Sequence, residues 1–249
     1  SLFTVEDTNL VSGGTGYPTP YANKLQLIYN SDVPITSRVY RALAMPRSAR
    51  TFVAFMMNYK TYDYEGANKF IGLSLMSGPN CETEEIFFGK PSGAGNKAGI
   101  FEPDTDHEEH SATYSITANH LADYMIVGEW EPEDHTIRMW AFYHGGEPIP
   151  ETYEEATPIA VYSNPAINAG TITGIRLAAG ISAEGVSSLD HAYFDEIRVG
   201  GTWDEVLNFT YPKVYDYALE EESTWVSDGQ LAQPDTNYPV AFTVYHRTK

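Results

Sequence analysis

His135–His144 reads HTIRMWAFYH, and its parity points to the fold class. Ile137, Met139, Ala141 and Tyr143 fall on one side of an extended chain, and Arg138, Trp140 and Phe142 on the other. That is the period of two that a strand imposes. Arg50–Tyr59, RTFVAFMMNY, is apolar on both parities through its middle, which predicts a strand buried on both faces. Further strand-like runs lie outward from these two: Leu25 to Tyr29, Lys69–Met76, Glu85–Lys90, Ala112–Thr117, Asp123–Trp130, Thr171–Ala179 and His191–Val199. Breakers such as Gly78-Pro79, Gly145-Gly146 and Asn164-Pro165 separate them. Pro91–Ser111 reads as a long surface loop or a β-hairpin tip, and Pro148–Pro165 as a second loop region. Helical patterning is nearly absent, with room for one turn over Asp204–Leu207. About a dozen short strands of this kind predict an all-β, two-sheet antiparallel sandwich or jelly roll.

Composition narrows the function classes. Among 249 residues, 15 Lys+Arg against 34 Asp+Glu leave a net charge of −19. A nucleic-acid binder needs a basic face to neutralise phosphates, and an anionic lipid surface attracts basic segments, so neither partner is expected. No apolar run approaches the ~20 residues that span a bilayer, so membrane insertion is not expected either. Hydrophobic residues at 42% suffice for a core. The single cysteine, Cys81, precludes an intrachain disulfide framework. The chain begins at Ser1 without a charged and apolar leader, and reads as the mature form of a secreted protein, extracellular or on the cell surface.

Tyr193–Val206, YFDEIRVGGTWDEV, resembles the closing strand of concanavalin-A-like, laminin-G-like jelly-roll domains of bacterial secreted and surface proteins. Phe70–Lys90 is similar to that family's paired strands, and Ser37–Leu43 (SRVYRAL) to its early strand. The resemblance spans most of residues 1–206 and implies one sandwich there. It also implies a structural Ca²⁺ held by Asp195 with backbone carbonyls near the N-terminal strands. The residues leave another reading open, in which Asp195 pairs with an arginine or caps a backbone turn. The family hosts carbohydrate-binding modules, adhesion modules and hydrolase scaffolds, so the site has to decide the function.

Sandwich hydrolases place two carboxylates on one face of a strand, where alternation aims both into a groove. The nearest run here is Glu102 to Glu108, EPDTDHE. Pro103 interrupts it and no apolar residue alternates with its acids, so no catalytic residue is expected. The His107/His110 cluster lacks transition-metal spacing. Sugar binding by sandwiches uses aromatic planes beside planar polar groups. The candidates are Tyr62 and Tyr64, which flank Asp63, together with Trp130, whereas Trp140 reads as core.

Residues 207–249 form a second segment, too short to bury an independent core. Val240, Phe242 and Val244 alternate as a strand does and suit addition to an open sheet edge, in the same chain or a neighbouring copy. Asn208-Phe209-Thr210 is a glycosylation sequon. The leading expectation is therefore a non-catalytic extracellular structural subunit whose partners are copies of itself, assembled by strand addition. The alternative is a carbohydrate-binding module with a glycan partner.

Overall fold

The computed structural model describes residues 2–6, 24–30, 36–59, 69–80, 83–91, 97–101, 109–115, 123–143, 146, 148–165, 167, 169–181 and 189–207. All of them belong to the first of two units into which the chain divides, Ser1–Asn208 and Phe209–Lys249. The strands are β1 (Leu2–Glu6), β2 (Lys24–Asn30), β3 (Thr36–Arg47), β4 (Thr51–Tyr59), β5 (Lys69–Ser77), β6 (Thr83–Lys90) and β7 (Lys97–Phe101). They continue with β8 (Glu109–Ser115), β9 (Tyr124–Glu131), β10 (Thr136–Tyr143), β11 (Ala160–Ser163), β12 (Ile172–Ile181) and β13 (Leu189–Gly200), and one helical turn, α1 (Trp203–Leu207), follows.

These strands make two antiparallel sheets. The first has seven strands in the order β1-β2-β13-β4-β9-β10-β11, and the second six in the order β3-β12-β5-β6-β7-β8. The all-β sandwich expected from the sequence is thus the fold. Its core lies between the sheets, where Val53, Phe55 and Met57 of β4 meet Ile71, Leu73 and Leu75 of β5, Phe88 of β6 and Leu177 of β12. The parity of β10 holds: Ile137, Met139 and Ala141 enter this core, and Trp140 points the other way.

The double burial of β4 has a specific cause. Phe52, Ala54 and Met56 face away from the main core, yet they too are buried, beneath Ile149, Ala156, Trp203, Val206 and Leu207. A second small core therefore covers the outer face of the first sheet. The short helix α1 is anchored at both ends. Thr202 Oγ1 accepts the Glu205 N–H at 3.2 Å, a threonine cap with the Glu three residues on. Arg198 Nη1 donates to the carbonyls of Val206 and Leu207 at 3.3 and 3.4 Å, which the last turn leaves without helical partners.

Two stretches differ from the sequence expectation of a loop. Pro91–Ser111 is no plain loop but contains β7 and the start of β8, which pair antiparallel as the hairpin reading has it, and Pro148–Pro165 contains β11. β7 is five residues long and pairs Gly99 with Gly89 of β6, so only Ile100 is left to signal a buried strand. β11 is an edge strand of four residues with mixed exposure. Neither is long enough for period two to stand out from loop composition.

Candidate functional site

The second sheet carries a polar constellation on the face turned away from the main core. Because Leu73, Leu75, Ile175 and Leu177 point inward, the intervening Ser74 and Arg176 point outward. Register aligns them: Tyr40 of β3 lies opposite Arg176 of β12, Arg176 opposite Ser74 of β5, and Ser74 opposite Phe87 of β6. Arg176 Nη2 donates to Ser74 Oγ at 3.0 Å and forms an ion pair with Glu84. Ser74 Oγ in turn donates to Glu84 Oε1 at 2.5 Å, closing a triangle. Arg176 is 8% exposed, and its Nε is buried without a hydrogen-bond partner. A buried donor left unpaired is costly. Beside it, Tyr40 is 47% exposed and offers an apolar ring with a polar tip.

The adjacent row is flat. Arg38, Ala178, Gly72 and Gly89 follow one another across β3, β12, β5 and β6. A Cβ on Gly72 would lie 2.1 Å from the Phe88 carbonyl oxygen and 2.5 Å from the Phe87 ring. Only hydrogen fits there, and Phe87 lies over the glycine. Ala178, Gly72 and Gly89 are themselves buried, so the exposed part of this face lies at β3, with Arg38 and Tyr40.

A second cluster sits on the outer face of the first sheet. Glu129 of β9 has no exposure, yet every oxygen is engaged. Oε1 accepts from Arg50 Nε at 2.6 Å, and Oε2 from Arg138 Nη1 at 3.1 Å and from the Tyr153 hydroxyl at 3.0 Å. Burial, and then the charge of Glu129, push the Tyr153 hydroxyl above its ordinary pKa. Burial opposes the Arg50 charge, but the nearby Glu129 outweighs it and its pKa is raised. Arg50 stacks on Phe52 and Tyr153 at 4.8 and 4.6 Å. A cleft of about 260 Å³ adjoins the cluster, lined by Arg50, Phe52, Tyr153 and Trp203 among others. Its aromatic rings are occupied with one another, Trp140 with Trp203 at 5.2 Å and Phe52 with Tyr153 at 5.8 Å. The indole N–H groups of Trp140 and Trp203 bond the carbonyls of Ala156 and Pro150. With its polar groups already paired, this cluster reads as a lock on the second core rather than a ligand site.

The residues singled out from sequence fare differently. Trp130 is not a sugar platform: it is 2% exposed and lies in the inter-sheet core. The reason is parity, since it shares the inward side of β9 with Tyr124 and Ile126. Trp140 is core, as expected. Tyr62, Tyr64, the acidic run from Glu102 to Glu108, Asn208, Val240, Phe242 and Val244 lie outside the described residues. Asp195 is 7% exposed and sits at a β-bulge where β13 shifts register against β4. Its Oδ1 accepts the Glu196 N–H at 2.8 Å, the turn-capping contact among the readings left open above. Glu196 adopts φ 48° and pairs with Arg198 at 2.7 Å. Sequence reasoning passed over Tyr40, Ser74, Glu84 and Arg176. The available signal was weak: polar residues alternating with Val39, Leu73, Leu75, Ile175 and Leu177 in otherwise apolar strands.

No family model and no curated protein matches the chain. Solved structures do resemble it. An endo-β-1,4-glucuronan lyase from the fungus Trichoderma reesei superposes with a TM-score of 0.51 at 13% identity, covering 83% of this chain and 90% of the lyase. The binding domain of botulinum neurotoxin serotype C1 gives 0.51 at 6% identity, over 81% of this chain and 44% of the other. The catalytic domain of a glycoside hydrolase family 131 protein from Coprinopsis cinerea gives 0.50 at 8% identity, over 75% and 73%. At these identities the likeness establishes the jelly-roll sandwich fold and nothing finer. Among the described residues, no helix is long and apolar enough to cross a membrane.

Proposed function

We propose that this chain is a carbohydrate-binding module of a secreted or surface protein, and that the exposed outward side of β3 around Tyr40, beside Arg176 of β12, is its binding surface. The observation that carries the reading is the alignment of exposed Tyr40 with Arg176, whose buried Nε lacks a partner, beside Ser74 and Glu84. The Tyr40 ring suits the C–H face of a pyranose, while the planar guanidinium and carboxylate suit neighbouring hydroxyls. Proteins of the same fold include a glucuronan lyase and a glycoside hydrolase domain, so the scaffold serves glycan-acting proteins elsewhere. Binding fits better than hydrolysis here, because the carboxylate of Glu84 is held by Arg176 and Ser74, with no second acid hydrogen-bonded or ion-paired into this triangle among the described residues. The test is retention on immobilised polysaccharides in affinity electrophoresis. Wild type is expected to be retained by at least one glycan, and Tyr40→Ala to lose retention at unchanged melting temperature. Equal retention of the two would refute the assignment of this face.

Two further elements of the proposal have their own support. Strand addition between copies is a second reading, favoured by β3: among the described residues this twelve-residue strand borders only β12, with Met45 76% exposed. We also propose a structural Ca²⁺ held by the nearly buried Asp195 carboxylate with backbone carbonyls near the N-terminal strands. Calcium is expected to raise the melting temperature of wild type over EDTA and to leave Asp195→Ala unchanged; no shift in wild type would remove the ion from the account.

A further inference from the structure

We infer that the glycan taken by this face is acidic, a polysaccharide bearing carboxylate groups. The inference rests on the carbohydrate-binding reading and adds the ligand's charge. The chain as a whole carries −19, a field that repels anions. Against that background β3 and β12 stand out. Together they contain four arginines, Arg38, Arg41, Arg47 and Arg176, with no Asp, no Glu and no Lys.

The placement is directional. Arg38 is exposed and lies two residues from Tyr40, on the same outward face. Diagonally across the strand pair sits Arg176, within reach of the long side chain of Arg38. Among the described residues, neither Arg38 nor Arg41 has a hydrogen-bonded or ion-paired partner. Glu84 neutralises Arg176, so the unpaired charge on this face among the described residues belongs to Arg38, whereas Arg41 lies opposite inward-pointing Ile175 and has the other parity. An arginine with no ion-paired acid among the described residues lowers the cost of bringing a carboxylate close. Its planar fork matches carboxylate geometry in a way a lysine ammonium does not. The resulting arrangement is a ring-stacking tyrosine with a free guanidinium two residues away on the same strand, as an alternating acidic saccharide requires.

The experiment is calorimetric titration of the full chain with a polyuronate, a neutral β-glucan of matched length and a sulfated dextran, at low and physiological salt. The expected result is at least tenfold tighter binding of polyuronate than of neutral glucan, weakening with salt as exposed charges are screened. Arg38→Gln should erase that preference, and Arg38→Lys should restore only part of it. Tyr40→Ala should weaken all glycans together. Equal affinity for polyuronate and neutral glucan, or a preference untouched by Arg38→Gln, would overturn the inference while leaving the carbohydrate reading standing. Sulfated dextran binding as tightly as polyuronate, with Arg38→Lys fully active, would reduce the face to a diffuse charge and overturn it too. Absence of binding to all three would overturn both.

Discussion

Glu129 is the residue on which the outer face of the first sheet depends. It is wholly buried and answers two arginines and a tyrosine, so removing its charge takes the acidic partner from Arg138 and leaves Arg50 with Glu131 alone. Breaking one side of a buried ionic network costs about 3 kcal/mol, which corresponds to roughly 6–12 °C in a domain of this size. Glu129→Gln should therefore melt lower by that amount in calorimetry, and an unchanged melting temperature would mean that the arginines find other partners. Tyr153 adds a pH signature. Its folded-state pKa is raised, so its contribution is intact below the ordinary phenol value near 10 and is lost as pH rises through the folded value. Wild type should lose more stability than Tyr153→Phe on passing from about pH 9 to 11, as followed by chemical denaturation. At this scale the sequence is a poor guide. Trp130 and Tyr40 are both aromatics in strands, and only inward or outward parity, set by neighbours several strands away, separates a core residue from a binding platform. Arg176 looks like any isolated strand arginine until register brings Tyr40, Ser74 and Glu84 to it.

Elements were easier to read, for a physical reason. β4 and β10 are long enough for their patterns to be unambiguous, and both faces of β4 are buried as its composition requires. β7 and β11 escaped because brevity and glycine removed the periodic signal. Glycine also marks a packing requirement that no pattern discloses. Gly128 of β9 faces the core directly under Phe88, where an added Cβ would come within 2.5 Å of the ring. Overpacking of this kind costs about 1–3 kcal/mol. Gly128→Ala should shift the urea midpoint downward at unchanged slope, and a neutral result would show that Phe88 has room to move. The bulge in β13 is a comparable device: the positive φ at Glu196 changes the register so that Arg198 reaches the carbonyl end of α1.

For the whole molecule, charge and architecture together bear on the proposed function. An acidic sandwich with a local arginine-lined, tyrosine-bearing face is suited to glycan recognition, and the excess of acids argues against nucleic acid as a partner. All described strand pairing lies within residues 2–207, so a chain ending at Leu207 retains the whole described sandwich. If strand addition operates as well, that truncation should remain folded and become monomeric in light scattering, while the full chain assembles; identical masses would dismiss assembly through Val240, Phe242 and Val244. The face itself is tested most directly by hydroxyl-radical footprinting of the full chain with and without bound polyuronate. Tyr40 should be strongly protected by the glycan, with Tyr162 on the other sheet and Tyr153 packed against that sheet's outer face unchanged. Equal labelling of Tyr40 in both states, with protection elsewhere, would contradict the assignment of the binding surface to β3 and β12.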